Sequence, residues 1–352
     1  SEIFKDNIYE ALRSLGHCVH LIQFDKFLAN VDSRNLDLRK QLLEDHLLES
    51  FYENQPFDYL ISFLSDQQVT PRFYKEIKNQ VFTINWTCNA HQFEILHKEI
   101  SPHLDLNTYI SLKHKDLYKS VGAKSYWMPM AANESVYRPS NSQDIKISFV
   151  GTAYGNRPYY IWRLLQSGVE LKLFGPNWEF KNNFNNFLKI YVAPLLYNFS
   201  GKEKRLSYLE KILRTNLLQQ ISSLTLVGGI PSDKEYVDII SRSIVSLNFP
   251  ESRMNNDYLN PEVLFGCNLR DFEIPLSKSM LLTQHSEELD YFFEEGKEVV
   301  SFKNESDMID KARYYSNNHK ASKEIALAGY KRAKREHTWK NRFESLFSEI
   351  EK

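Results

Sequence analysis

The feature that most constrains the fold is a repeated alternation of strand-like and helix-like segments. Apolar, β-branched runs such as residues 57–65 (FDYLISFLS) and 81–87 (VFTINWT) are separated by the helix-like segment 70–79 (TPRFYKEIKN). Strands that alternate with helices predict βαβ units and a parallel sheet covered by helices. The polar stretch 134–146 (ESVYRPSNSQDIK) has no apolar periodicity, and the alternation restarts after it. We therefore predict a linker there.

At 352 residues the chain can form two domains of about 150 residues each. We predict an α/β fold with an N-terminal domain over 1–140, a second domain over 145–335 and a terminal helix over 336–352. Residues 176–221 break the alternation, and we interpret them as a helical, aromatic-rich insertion. It packs against its own domain or contacts an acceptor or a membrane.

Two further segments are assigned a strand and a helix within this alternation. Residues 17–25 (HCVHLIQFD) have the composition of a strand that follows the opening helix. Residues 286–296 (SEELDYFFEEG) have the apolar spacing of a helix and lie between strand-like runs at 280–284 and 298–302. We predict a strand at the first and a helix at the second.

Composition excludes several classes of protein. The 44 basic and 45 acidic residues nearly cancel, which argues against a nucleic-acid partner. The cysteines Cys18, Cys88 and Cys267 form no CxxC pair, so neither a zinc knuckle nor a disulfide framework is indicated. The first 16 residues lack the apolar core of a signal peptide, and a cytoplasmic location is expected.

The longest apolar stretch covers residues 187–199 (FLKIYVAPLLYNF). A bilayer-spanning helix needs about 20 apolar residues, and this stretch is shorter and interrupted by Lys189 and Pro194. We expect a buried or interfacial helix, with peripheral membrane contact as an alternative.

In parallel sheets, ligands bind at loops that lead from strands into helices. The first such loop is FVGTAYGNRPYY, in which Gly151 and Thr152 follow a strand and Arg157 begins a helix with Pro158 at its start. Backbone N–H groups beside a cation suit a phosphate, although this is not a P-loop. The alternative is that Arg157 is an ordinary surface cation.

The second loop is LVGGIPSDKEY. Gly229 and Ile230 could lie against a nucleobase, and Ser232 could cap the following helix. The alternative is a tight turn without a ligand.

The third loop opens the segment NLRDFEIPLSKSMLLTQ, residues 268–284. Because proline is tolerated only near a helix start, Pro275 predicts that this helix begins between Asn268 and Asp271. Arg270 then suits a diphosphate, and Glu273 can accept two hydrogen bonds from a ribose diol. The alternative is a capping carboxylate beside a surface arginine.

Together these loops resemble the CgeB-like glycosyltransferases, a GT-B group related to glycosyltransferase families 1 and 4. The resemblance covers most of the chain after about Phe57. It is carried by INWTCNAHQF, YKSVGAKSYWMPMAANESVYRP, ISFVGTAYGNR, IISRSIVSLNF, LRDFEIPLSKSMLLTQ, FFEEGKEVVSF and REHTWKNRFESLF.

The resemblance implies two Rossmann-like domains facing across a cleft. It places a nucleotide-diphosphate sugar, with UDP favoured over GDP, on the second domain and a glycan or protein acceptor on the first. The resemblance assigns Glu273 to the donor ribose, Arg270 to the diphosphate, and Gly151, Thr152 and Arg157 to the phosphate-side loop. With the Gly229 loop and the rest of the motif, the predicted donor site comprises Gly151, Thr152, Arg157, Gly229, Ile230, Asn268, Arg270, Asp271, Phe272 and Glu273. In GT-B relatives the terminal helix crosses back to the first domain, and the apolar stripe of Trp339, Phe343 and Phe347 suits that role.

No Asp-x-Asp motif lies in a cleft-facing loop, so we expect no metal and no other cofactor. Fixed cations could stabilise the charge on the leaving diphosphate instead. An inverting reaction also needs a general base, for which His91 is the candidate, ahead of Glu251 and Asp257.

Three departures from the family pattern keep alternatives open. The relatives open with a strand and a glycine loop, whereas this sequence starts at a helix; it is either truncated or built differently on the acceptor side. Phe265 stands where retaining relatives carry a second glutamate, so the stereochemical outcome stays open. Ser277-Lys278-Ser279 replaces the usual small residue or glycine.

Two other functions remain open. The first is a nucleotide-sugar epimerase or hydrolase on the same fold, which would convert a donor without an acceptor. The second is a non-catalytic nucleotide- or glycan-binding protein.

Overall fold

The computed structural model describes residues 5–24, 27–28, 31, 35–179, 215–250, 252–253, 263–264 and 266–352. The chain divides into two compact units. The first comprises Ser1–Met130 with Trp339–Lys352, and the second comprises Ala131–Thr338.

The first unit is built on a four-stranded parallel sheet. Its strands are β1 (Tyr59–Ser62), β2 (Phe82–Thr87), β3 (Leu106–Tyr109) and β4 (Ser125–Trp127), in that spatial order. Its helices are α1 (Glu10–Ser14), α2 (Leu36–Asn54), α3 (Pro71–Ile77), α4 (Phe93–Leu96) and α5 (Lys115–Ser120). A π-helical turn covers Lys5–Tyr9, and 3-10 turns cover Ala90–Gln92, Ser101–His103 and Leu112–His114.

Local signals explain where the helices of the first unit begin. The Asn35 side chain accepts a hydrogen bond from the N–H of Leu38 at 3.1 Å and caps α2. Thr70 caps α3, and Pro71 at its first position needs no hydrogen-bond acceptor. Helix α2 buries Leu43, Leu47 and Phe51 at four-residue spacing, which places them on one face against the core.

The last helix, α11 (Trp339–Ile350), belongs to the first unit although the second unit precedes it in the chain. The Trp339 ring lies 5.6 Å from that of Trp86, and the Phe347 ring lies 5.0 Å from that of Tyr59. The apolar stripe of this helix therefore completes the core of the first unit.

The second unit is built on a six-stranded sheet in which every neighbouring pair is parallel. Its strands are β5 (Ile145–Val150), β6 (Lys172–Phe174), β7 (Val227–Gly228), β8 (Ser243–Asn248), β11 (Met280–Gln284) and β12 (Val300–Phe302), in the spatial order β12-β11-β8-β5-β6-β7. The short strands β9 (Ser252–Arg253) and β10 (Val263–Leu264) form a separate antiparallel pair.

Helices cover this sheet. They are α6 (Arg157–Gln166), α7 (Asp233–Ser241), α8 (Arg270–Leu276), α9 (Glu305–Asn317) and α10 (His319–Glu336), with a further helical stretch at 215–224. Strand β8 is buried along its whole length, as expected for a central strand with helices on both faces. The predicted α/β class with two parallel sheets is confirmed.

Several predictions differ from the structure. Residues 17–24 form no strand; Ile22 and Phe24 are partly buried and pack directly against the core of the first unit. The helix predicted at 286–296 is only a 3-10 turn at Leu289–Tyr291. Phe292 and Phe293 produce the helical spacing there, but they pack instead on Phe272 and His337.

The boundary between the units also lies earlier than the sequence suggested. The second unit starts at Ala131, because Ala132 forms a bridge with Thr338 and Tyr137 bonds to Glu273. Most of the predicted insertion, including 187–199, lies outside the described residues; its described end packs Ile221 into the core of the second unit. Within the described ranges, no helix has both the length and the apolar character that crossing a membrane requires.

Candidate active site

Three loops meet at one edge of the six-stranded sheet. They follow the carboxyl ends of β5, β6 and β7, and they contact one another through the backbone: Gly151 N–H donates to Phe174 O at 3.0 Å, and Gly175 N–H donates to Gly229 O at 2.8 Å. A Cβ on Gly175 would lie 2.3 Å from Gly151 O, and its φ is +124°. Only glycine therefore allows these loops to meet, and the sequence analysis did not single out Gly175.

Helix α8 begins at the same edge and carries the arginine of the R-x-F-E motif. Arg270 is half-buried, and its Nε donates to Val150 O at 3.0 Å, directly before Gly151. Its guanidinium lies 5.9 Å from the centre of the Tyr236 ring. It forms no salt bridge with any residue in the described part of the chain. Arg270 is therefore a cation held at the Gly151 loop, and it is not the surface arginine of the alternative interpretation.

Glu273 lies one turn further along α8 and is only 5% exposed. The Tyr137 hydroxyl donates to its Oε1 at 2.7 Å, and the Tyr236 hydroxyl donates to its Oε2 at 2.6 Å. Burial raises the pKa of Glu273, and burial followed by the charge of Glu273 raises the pKa of both tyrosines, which keeps them protonated donors. The carboxylate thus holds two hydroxyl donors and does not cap the helix.

The start of α8 is fixed by a buried polar network. Asp271 accepts hydrogen bonds from Asn248 Nδ2 at 2.8 Å, Thr283 Oγ1 at 2.9 Å and Asn268 N–H at 2.9 Å. Burial raises the pKa of Asp271 to about 6. Asn268 Oδ1 in turn accepts from the Arg270 N–H at 2.9 Å. The hydrogen bonds of Asn268 and Asp271 therefore fix the start of α8 and, with it, the positions of Arg270 and Glu273.

The helix start agrees with the prediction from Pro275, since α8 begins at Arg270. Pro275 itself lies inside the helix, in its last turn, where its missing N–H leaves one helical hydrogen bond unmade. The Phe272 side chain is fully buried and packs on Phe292 and His337. It faces the core and anchors the helix.

The Gly151 loop holds Arg157 in the interior. Arg157 is 4% exposed, and its terminal nitrogens donate to Thr152 O at 3.3 Å and Phe249 O at 2.8 Å. Its guanidinium also lies 3.9 Å from the Tyr154 ring centre. Arg157 is thus neither a surface cation nor a side chain directed at solvent; it shapes the loop. No described residue accepts a hydrogen bond from the N–H of Thr152 or Gly155.

The Gly229 loop leads into a well-capped helix. Ser232 caps α7 through a capping box with Glu235, as the sequence indicated for Ser232. Gly229 is exposed, and Ile230 is 74% exposed. The loop thus presents an uncovered apolar surface beside the other two loops.

His91 belongs to the first unit and lies in the 3-10 turn Ala90–Gln92 after β2. It is half-buried, and burial lowers its pKa, so the imidazole is neutral at neutral pH. The buried His97 and His114 lie near enough to be affected by its charge. Burial, with a smaller contribution from His91, lowers the pKa of each to about 4. This histidine group was not recognised in the sequence because its members are spread over 24 positions (91 to 114).

The other candidate bases, Glu251 and Asp257, lie outside the described residues, as does Phe265. In the part of the chain that the structure describes, no three carboxylate, imidazole or thiol side chains come together as they would around a metal ion.

Part of this edge of the sheet lies in a region of the chain that matches a known protein-family model. Residues 210–348 match a model described as "Glycosyl transferase-like". The match includes the Gly229 loop, α7 and the whole of α8. This chain carries a glycosyltransferase domain. No curated protein sequence matches the chain.

The structure is similar to solved GT-B glycosyltransferases. A sucrose-phosphate synthase from Thermosynechococcus elongatus aligns with a TM-score of 0.55 at 10% identity, over 91% of this chain and 80% of that one. Anabaena HepE in complex with UDP and glucose aligns with a TM-score of 0.56 at 8% identity, over 90% and 84%. AviGT4, a glycosyltransferase involved in avilamycin A biosynthesis, aligns with a TM-score of 0.54 at 15% identity, over 87% and 76%. The chain therefore has the GT-B fold.

Proposed function

We propose that this protein transfers a sugar from a nucleotide-diphosphate sugar, with UDP favoured, to a hydroxyl group of a glycan or protein, and that it belongs to the CgeB-like group. The observation that carries the proposal is the placement of Arg270 and Glu273 beside the glycine loops of a glycosyltransferase domain. The similarity to HepE, solved with UDP and glucose, supports UDP as the nucleotide.

The diphosphate is assigned to the Gly151 loop. Arg270 supplies a positive charge there and forms no salt bridge with a described residue, and the N–H groups of Thr152 and Gly155 supply hydrogen-bond donors. As the bond between the sugar and the diphosphate breaks, negative charge grows on the leaving phosphate oxygen. A fixed cation and fixed N–H groups stabilise that charge without reorganising, so the proposed reaction needs no metal.

The ribose is assigned to Glu273. Two tyrosine hydroxyls already donate to its two oxygens, and a ribose diol presents the same two O–H donors. A carboxylate has about four lone-pair positions, so the ribose can add to the tyrosines or replace them. The exposed Ile230 and Gly229 are assigned to one face of the base.

The acceptor hydroxyl must lose its proton as its oxygen attacks the anomeric carbon. His91 is proposed as the base of an inverting reaction, because its lowered pKa keeps the imidazole neutral and able to take a proton at pH 7.

The test begins with thermal-shift measurements against UDP, GDP, CMP and dTDP sugars. Donor turnover is then measured with and without a glycan or protein acceptor. Turnover that requires the acceptor, and yields the glycosylated product, supports the transferase. Turnover without any acceptor indicates an epimerase or hydrolase, and nucleotide binding without turnover indicates a binding protein.

A further inference from the structure

A cavity of about 570 Å³ lies in the first unit at the carboxyl end of β1. Small-molecule sites span about 300–1,000 Å³, so its size suits a compact organic ligand. Its walls come from the start of α2, the loop after β1 and the region of Asn89 and His97. All of these elements belong to the first unit, and none contributes to the Arg270–Glu273 site.

The cavity carries two cations, and the described part of its lining holds no counter-charge. Arg39 and Lys40 are both half-buried, and neither forms a salt bridge or a side-chain hydrogen bond with any described residue. Asp37, in the same turn of α2, is exposed and is not part of the lining. Among the residues that the structure describes, no aspartate or glutamate lines the cavity. Two positive charges therefore converge on one concave surface.

A buried carboxylate near Lys40 is already engaged elsewhere. Asp66 lies close enough to be affected by the charge of Lys40, but its Oδ1 accepts from the Ile100 N–H and its Oδ2 from the Glu99 N–H, both at 3.0 Å. Asp66 therefore fixes the loop behind the cavity and leaves both cations available to a ligand.

A third polar group supports a ligand at the same place. His97 lines the cavity, is only 3% exposed, and uses its Nε2 in a 2.9 Å hydrogen bond with Asn89 Oδ1. Its Nδ1 has no hydrogen-bond partner among the residues described. A buried polar atom without a partner is costly unless a ligand or water satisfies it.

The remaining lining indicates a sugar rather than a bare anion. Gln67 and Gln68 offer amide groups, which donate to and accept from hydroxyls. Phe63 presents an aromatic ring that is 38% exposed, and the exposed Leu36 adds apolar surface. Amides suit the hydroxyls of a saccharide, and apolar surface suits its C–H faces, whereas inorganic phosphate would use neither.

We propose that this cavity binds an acidic saccharide, whose carboxylate or phosphate pairs with Arg39 and Lys40 while its hydroxyls meet the glutamine amides. The saccharide's role as the acceptor of the transfer rests on the proposed function, whereas its binding to the cavity does not depend on that function.

The test uses titration calorimetry on the full chain with four probes. The acidic probes are the disaccharide of glucuronic acid and N-acetylglucosamine, and N-acetylglucosamine 6-phosphate. The third probe is the same disaccharide with its carboxylate reduced to an alcohol, and the fourth is inorganic phosphate. We expect at least one acidic probe to bind at least 10-fold more tightly than both the reduced disaccharide and inorganic phosphate.

The variant is Arg39→Gln/Lys40→Gln, and the matched control is Lys115→Gln/Lys119→Gln, which removes two exposed charges from α5 of the same unit. The first variant should bind the acidic probe at least 10-fold more weakly than the wild-type protein does, and the affinity of the control variant should stay within 2-fold of the wild-type value. Thermal melting checks that both variants fold.

Equal affinity for the acidic and reduced disaccharides, equal affinity for inorganic phosphate, or no binding of either acidic probe would each overturn the proposal. UDP affinity is measured in parallel on the same variants and should not change. If the wild-type protein binds none of the UDP, GDP, CMP and dTDP sugars, the proposed function is refuted while the saccharide result stays intact.

Discussion

The charged side chains at the sheet edges of the two units differ in whether the protein itself supplies their hydrogen-bond or ion-pair partners. In the second unit, Glu273 and Asp271 are each satisfied by hydrogen-bond donors from the protein. In the first unit, Arg39 and Lys40 have no such partner among the residues described, and His97 is buried in the neutral form. The hydrogen bonds in the second unit fix the positions of Glu273 and Asp271 before a ligand binds. In the first unit, the charges of Arg39 and Lys40 are left for a ligand to neutralise.

The difference also extends to pH at three buried groups, because burial disfavours the charged form of two histidines in the first unit and of one aspartate in the second. His97 and His114 have pKa values lowered to about 4, whereas the pKa of Asp271 is raised to about 6. A lowered histidine pKa favours folding above pH 6.5, and a raised aspartate pKa favours folding below pH 4. Acid should therefore weaken the first unit at these positions and strengthen the second at Asp271.

The largest expected effect is the acid sensitivity of the first unit. As pH falls from 6.5 to 4, the unfolded chain binds protons that the folded His97 and His114 do not. Each histidine should remove about 3 kcal/mol from the free energy of unfolding. Hydrogen exchange of peptides from the first unit, measured at several pH values, checks this.

The variants His97→Gln and His114→Gln serve as the comparison. Each should be less stable at pH 7 but should lose less stability on acidification than the wild-type protein. An unchanged pH slope in both variants would assign the acid sensitivity to other groups.

The next effect concerns Arg270. Replacing it with alanine removes the cation beside the Gly151 loop and should lower kcat/KM for donor turnover about 100- to 1,000-fold, as for the loss of a fixed transition-state donor. Arg163→Ala, which breaks a half-buried ion pair between Arg163 on α6 and Glu305 on α9, is the matched control and should change kcat/KM less than 2-fold. Equal losses in both variants would remove Arg270 from the site.

These expectations depend on features that the sequence showed only in part. The alternation of strands and helices predicted both parallel sheets, and Pro275 located the start of α8 correctly. The segments at 17–25 and 286–296 failed, because their apolar residues are buried by tertiary packing that local spacing does not encode. Periodicity depends only on residues within one segment, whereas these apolar side chains pack against residues that are distant in the sequence.

The site was predictable to a similar extent. The R-x-F-E motif singled out Arg270 and Glu273, but Tyr137 and Tyr236 were missed because they lie 136 and 37 positions from Glu273. Arg157 follows a glycine loop, as a phosphate-binding arginine often does, yet the structure buries it against two carbonyl groups. A motif specifies which residues are present, and the side-chain geometry decides which are available to a ligand.

A smaller effect should come from Asp271. Between pH 4 and pH 6 the folded protein binds a proton there that the unfolded chain has released, so the free energy of unfolding falls by about 3 kcal/mol as pH rises. Asp271→Asn removes this dependence. Chemical denaturation of both proteins at pH 4, 5 and 6 measures the difference. Parallel curves for the two proteins would show that Asp271 titrates normally.

The smallest effect concerns the tyrosine pair at Glu273. Tyr137→Phe deletes one donor to a buried carboxylate, which should cost about 1–3 kcal/mol of folding stability. The vacated oxygen can then take a ribose hydroxyl without competition, so UDP affinity should rise several-fold. Tyr109→Phe, at a tyrosine in the first unit, is the control and should leave UDP affinity unchanged. Weaker UDP binding in Tyr137→Phe would show that this hydroxyl contacts the nucleotide itself.

The most direct test of the donor site is a calorimetric cycle that joins one side chain to one part of the ligand. UDP and 2′,3′-dideoxy-UDP are each titrated into the wild-type protein and into Glu273→Gln. Since a charge-assisted hydrogen bond contributes about 1.5–3 kcal/mol, we predict a coupling free energy of about 1–3 kcal/mol between the ribose diol and Glu273. A coupling free energy of zero, with both proteins folded and both ligands bound, would contradict the assignment of Glu273 to the ribose.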